Sequence, residues 1–181
     1  VAVWATGPGN WLDPSGWDTP ATIDITRGAF CSANGMVNNI CIGGGIQNAR
    51  GGDGNDTITG NNDQNTLYGM AGNDTLTGGD GQDTLTGGDG ADRFRFNTVS
   101  SATSGPVRDV ITDFVSGVDR IDLSGIDADP TQAGDQAFTV EQLAYDAATG
   151  IVFANVGNDA TWEVQIVLGF ALHPSSVLVA D

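Results

Sequence analysis

Residues 51–95 read GGDGNDTIT, GNNDQNTLY, GMAGNDTLT, GGDGQDTLT and GGDGADRFR. Glycine opens each nine. A carboxylate or its amide holds the sixth place: Asp56, Asn65, Asp74, Asp83 and Asp92. An apolar side chain holds the eighth: Ile58, Leu67, Leu76, Leu85 and Phe94. Such self-similarity at a fixed period is the mark of a repeat architecture. The first six residues of a unit are rich in glycine, which tolerates positive φ and hence tight turns. The last three make a short strand whose middle residue points inward. Two units make one coil of two turns and two strands, so the pattern predicts two facing parallel sheets around an apolar ladder. The turns 51–56, 69–74 and 87–92 stack on one side. Turns 60–65 and 78–83 stack on the other, with 42–47 beneath them.

That stacking has an electrostatic cost. Strands in a sheet lie ~4.8 Å apart, which sets Asp56, Asp74 and Asp92 in a column of like charge. Each neighbouring pair repels by roughly 3 kcal/mol at an effective dielectric of 20, and by under ~1 kcal/mol in bulk water. One buried aliphatic side chain per nine returns at most ~1.5–3 kcal/mol, against chain entropy as well. Cations between the turns remove the difficulty. Carboxylate and carbonyl oxygens, without His or Cys, select Ca²⁺ over zinc or copper. The expected ligands are the side chains of Asp56, Asp74, Asp92 and Asp83 and the carbonyls of Gly52, Gly54, Met70, Gly72, Gly79, Gly81, Gly88 and Gly90. The second column is weaker, because Asn65 carries no charge and GNNDQN has lost the Gly-x-Gly spacing; Asp63 is the substitute acid there. Asp53, Asp80 and Asp89, at third places, read as outer-shell charge or, more simply, as solvated turn residues.

The rest of the chain frames this core. Of 181 residues, 23 are acidic and 6 basic, for a formal charge of −17. All the bases are arginine, and all the acids are aspartate except Glu141 and Glu163. The charge argues against nucleic acid or an anionic membrane as partner and favours cations. No window approaches the ~20 apolar residues of a membrane span. Residues 1–41 form an N-terminal β cap carrying Trp4, Trp11 and Trp17, rings that more often seal a repeat core than stack on a sugar. The roll spans 42–96, with 42–50 as a degenerate capping turn. Residues 97–181 form a C-terminal β region: 108–126 suggests two short strands around Ser116-Gly117, and 138–170 reads as strand, Ala-Thr-Gly turn, strand, Gly-Asn-Asp turn, strand. The fold class is all-β, a parallel β-roll flanked by antiparallel, sandwich-like segments. A Cys31–Cys41 disulfide is the leading reading of the two cysteines, with two buried thiols as the alternative.

These residues resemble the RTX β-roll of type I-secreted bacterial proteins, and residues ~4–125 look like the C-terminal domain of serralysin-type metalloproteases. In that family a Trp-Asp-x-Gly-Gly-Asn-Asp stretch precedes Thr-Ile-Asp, Gly-x-Phe and Ile-Glu-Asn-Ala. Here Trp4 and GPGN, TIDI (22–25), GAF (28–30) and IQNARGG (46–52) stand in the same order. DVITDFVSGVDRIDLS (109–124) is similar to the family's closing segment, and the resemblance implies Asp109 and Asp113 as calcium ligands on the last coil, with turn capping as the alternative. Residues 145–170 look more like the terminal region of RTX proteins generally, alginate epimerases included. Three departures stand out. Thr6 and Trp11 replace acids of an early site, Gln47 replaces the usual glutamate, and the chain ends on Asp181 rather than on an acid followed by apolar residues. The resemblance implies secretion through a type I apparatus to the extracellular space, and an N-terminal catalytic domain or chain as partner.

Serralysins carry a zinc-binding HExxHxxGxxH helix in a separate domain. This chain has the single histidine His173, so it cannot build that site. Glu141 and Glu163 sit in no glycosidase motif. The chain is expected to be a non-catalytic calcium-binding module that folds on extracellular calcium. The alternatives are a calcium-dependent module of a polysaccharide-modifying enzyme, with polysaccharide as partner, or an adhesin-like interaction domain.

Overall fold

Turn and strand alternate along the repeats in the computed structural model of the chain as their period requires. It describes residues 11–13, 16, 18–33, 36–42, 46–98, 108–128, 130–131, 137–139, 142–156 and 162–169, with 27–42 described as backbone only. The roll strands are β5 (Asn48–Arg50), β6 (Thr57–Thr59), β7 (Thr66–Ala71), β8 (Thr75–Thr77), β9 (Thr84–Asp89) and β10 (Arg93–Arg95). They enter two sheets in alternation. β5, β7 and β9 are parallel neighbours in one; β6, β8 and β10 are parallel neighbours in the other. The register is one coil per step, with Leu67 beside Leu85 and Ile58 beside Leu76.

The eighth-position side chains build the ladder. Ile58, Leu67, Leu76, Leu85 and Phe94 are fully buried, and Ala49 and Ile111 extend the same core. Each such burial contributes roughly 1.5–3 kcal/mol. The seventh and ninth residues, mostly threonine, face outward, as the two-residue period of a strand requires.

The roll runs beyond the nines in both directions. β1 (Trp11–Leu12) pairs parallel with β5, and β2 (Thr22–Asp24) pairs parallel with β6. β11 (Asp109–Ile111) pairs parallel with β9, and β12 (Arg120–Asp122) with β10. The parallel stacking therefore continues past residue 96, and the strands either side of Ser116-Gly117 lie in opposite sheets. Each sheet then gains an antiparallel extension at one end. β3 (Arg27–Ala33) and β4 (Met36–Ile42) lengthen the second sheet beyond β2. β15 (Val164–Leu168) pairs parallel with β11, and β14 (Ile151–Ala154) and β13 (Leu143–Asp146) follow it antiparallel. The three strands expected over 138–170 and the Ala148-Thr149-Gly150 turn are present, while the expected Gly157-Asn158-Asp159 turn lies outside the described residues. Phe114 closes the end of the ladder against Phe94, with ring centroids 6.2 Å apart.

Cys31 and Cys41 lie on the adjacent strands β3 and β4, where the backbone register sets Cys31 opposite Asn39. The expected disulfide concerns side chains outside the described residues, as do Trp4, Trp17, His173 and Asp181.

Candidate metal centres

The turns between strands form two columns, and each is ordered by its sixth-position side chains. In the first column Asp74 accepts the Asp56 backbone N–H at 2.8 Å, and Asp92 accepts that of Asp74 at 2.9 Å. The series continues to Asp119, which accepts the Asp92 N–H at 2.9 Å and the Val115 N–H at 2.7 Å. In the second column Asp83 accepts the Asn65 N–H at 2.9 Å and Asp109 that of Asp83 at 2.8 Å. Each carboxylate thus uses Oδ1 to hold the turn one coil below.

The other oxygen is the informative one. Oδ2 of Asp74, Asp83, Asp92 and Asp109 is buried without a hydrogen-bond partner. A buried charged group without a partner is costly enough that it protonates or takes a counter-ion. The acidities follow: loss of hydration on burial pushes Asp74 and Asp83 up to about 7 and Asp109 up to about 8, and raises Asp92 and Asp119 too. Repulsion between stacked carboxylates adds to this for Asp74, which feels Asp92 and Asp56. The repulsion within the column that the repeat implies is thereby present in the fold.

Backbone oxygens complete the donor set. The second and fourth places of turns 69–74, 78–83 and 87–92 take left-handed φ: 89° at Met70, 123° at Gly72, 105° at Gly79, 125° at Gly81, 102° at Gly88 and 136° at Gly90. A Cβ on Gly88 would collide with the Met70 carbonyl, and one on Gly90 with the Gly72 carbonyl. Those carbonyls therefore face the next turn. Among the described residues no three His, Cys, Asp or Glu side chains converge on a metal-binding point. A cation here would be held by carboxylates together with main-chain oxygens, which is the ligand chemistry of Ca²⁺.

The turns nearest the N-terminus differ. Gly52 and Gly54 are outside the left-handed set. Both oxygens of Asp56 are already engaged: Oδ1 by the Ala21 N–H and Oδ2 by the Gly52 N–H, each at 2.7 Å. Asp63 is exposed on the turn surface. Asp113 sits outside the buried series and caps the turn at 87–88, accepting the Gly87 N–H at 3.0 Å and the Gly88 N–H at 2.8 Å. Asp119 is a residue that the unbroken run of nines leaves out. It lies 27 residues after Asp92, three nines on and in phase with the frame, past two nines whose sixth places are Ser101 and Val110. The signal is local: GADRFR (90–95) and GVDRID (117–122) align position for position, and Arg93–Arg95 pair in register with Arg120–Asp122.

A parallel roll with two columns of buried carboxylates aimed into glycine turns defines a calcium-binding β-roll. The family model for the peptidase M10 serralysin C-terminal domain matches residues 1–166, and the chain belongs to that family. This family is a calcium-binding RTX β-roll, the non-catalytic C-terminal part of secreted serralysin-type proteins. Among solved structures, the AlgE6R3 subunit of the Azotobacter vinelandii mannuronan C5-epimerase is 29% identical, covering 68% of this chain and 70% of its own at a TM-score of 0.49. The AlgE6R2 subunit of the same epimerase is 28% identical, covering 73% and 92%, at a TM-score of 0.45. No curated protein matches.

Proposed function

We propose that this chain is the calcium-binding accessory domain of a secreted serralysin-like metalloprotease, folding when it meets extracellular calcium after type I export and stabilising the catalytic part it accompanies. The observation that carries the reading is the set of orphaned buried oxygens on Asp74, Asp83, Asp92 and Asp109. Calcium, when bound, supplies the positive charge that lets these carboxylates stay ionised inside the roll. The chain's own residues do the rest. Oδ1 of each aspartate fixes the spacing of successive turns, and the carbonyls of Met70 and Gly72 present oxygen to the next turn. A ligand bound only by the folded state stabilises it, by ~2.7 kcal/mol for each ion at a hundred times its dissociation constant. Sites of extracellular modules bind at roughly 10⁻⁴–10⁻³ M, so they are empty in a cytosol and filled outside. Circular dichroism across a calcium titration tests this: β signal rises with calcium and falls on chelation. Equal β signal with EDTA and with millimolar calcium sinks the reading.

A second reading has its own support. Trp11 and Tyr68 stack at 5.7 Å on the outer face of the first sheet, with the Arg50 guanidinium 5.4 Å from one ring and 5.5 Å from the other. Beside them runs a trough of about 460 Å³ that includes Gln47, Asn48, Gln64, Thr66, Gln82 and Thr84. Aromatic faces beside amides and hydroxyls suit a sugar chain, which favours a module of a polysaccharide-modifying enzyme. Oligosaccharide binding that is lost in Trp11→Ala would support it. The sequence encoded upstream separates the two parents, by an HExxHxxGxxH motif or a carbohydrate-active domain.

A further inference from the structure

The first gap of the second column is built from the same turn frame as the others, yet its polar atoms point the opposite way. The Asn65 amide nitrogen donates to the Gln47 carbonyl at 2.9 Å and to Asn61 Oδ1 at 3.1 Å. Asn61 Nδ2 donates to the Ile46 carbonyl at 3.0 Å. Asn65 Oδ1 accepts the Asn61 N–H at 2.7 Å. The orientation of the Asn65 amide is forced by these partners. Turned over, it would set oxygen against two oxygens and an NH₂ against an N–H. Asn65 is buried and absent from the orphaned atoms that mark Asp83 and Asp109.

We infer that Asn61 and Asn65 staple this gap with protein amides, so that it takes no cation, and that Asn65 is the residue that decides this. The donors occupy the carbonyls that a calcium ion would need. Turn 60–65 and the Ile46-Gln47 backbone are then held together whether or not calcium is present, while turns further along the roll wait for ions. The rule also predicts its own reversal. In Asn65→Asp the donating nitrogen becomes an anionic oxygen, and three oxygens, from the new carboxylate, Gln47 and Asn61, face one another at the distances above. That is a hard-cation donor set.

This inference rests on the calcium reading of the neighbouring gaps, and the experiment separates the two. Calcium stoichiometry is measured on the full chain by native mass spectrometry and isothermal titration, for the native sequence, Asn65→Asp and Asn65→Ala, with melting temperatures in EDTA and in calcium. A native chain that binds no calcium overturns the calcium reading itself. Given binding, Asn65→Asp is expected to hold one ion more than the native chain, with a lower melting temperature in EDTA that calcium restores. Asn65→Ala is expected to keep the native ion count and to melt lower in both conditions. An unchanged count in Asn65→Asp, or one ion lost in Asn65→Ala, overturns the staple.

Discussion

Asp74→Asn separates the two roles of a turn carboxylate. The substitution keeps Oδ1, which accepts the Asp56 N–H at 2.8 Å, and replaces only the orphaned Oδ2. Without calcium, the native chain above neutral pH carries an ionised Asp74 in a site that pushes its acidity from 3.8 up to about 7. That difference is worth on the order of 4 kcal/mol against the folded state. The amide removes this cost and the repulsion from Asp56 and Asp92. With calcium the balance reverses. Asp74 stacks between Asp56 and Asp92, so the variant loses the stabilisation of up to two ions, or ~5 kcal/mol at a hundred times each dissociation constant. Urea denaturation at pH 8.5, followed by circular dichroism, is expected to show a crossover: Asp74→Asn more stable than the native chain in EDTA, and less stable in calcium. Equal destabilisation in both conditions would refute the reasoning and leave Asp74 as a turn cap alone.

Three further outcomes follow from the same geometry. Asp74, Asp83 and Asp109 bind protons more tightly when folded, so in EDTA the fold is most stable in acid and loses stability as pH rises through about 7 to 8; calcium affinity runs the other way, falling as pH drops below that window, as a titration at several pH values would read. Leu76→Ala empties a fully buried rung and is expected to cost roughly 2–5 kcal/mol by denaturation in saturating calcium. Met70→Gly relieves a left-handed φ of 89° at an exposed residue and is expected to raise stability by about 1 kcal/mol, which a melt in calcium would register.

The nines are readable because turn and strand repeat with one apolar residue per unit, and because parallel stacking leaves aspartates nowhere else to go. Ile58, Leu76 and Asp74 fall where the period sets them. The ends are harder. Asp109 and Asp119 extend the columns after intervals of 26 and 27 residues, since the connections between coils lengthen there while the registers persist. The capping of Asp56 by the Ala21 N–H joins residues 35 apart, which no local pattern announces. Asn65 reads as a weakened ligand when charge alone is weighed. Which way its amide donates depends on the carbonyls of Ile46 and Gln47 brought against it and Asn61 by folding.

The most direct test of the account is a crystal structure of the chain grown from calcium, with anomalous scattering to locate the ions. Calcium is expected at about 2.3–2.6 Å from Oδ2 of Asp74, Asp83, Asp92 and Asp109, and none between Asn65 and Gln47. The same four oxygens bonded to water or to protein donors, with no ion beside them in saturating calcium, would contradict it.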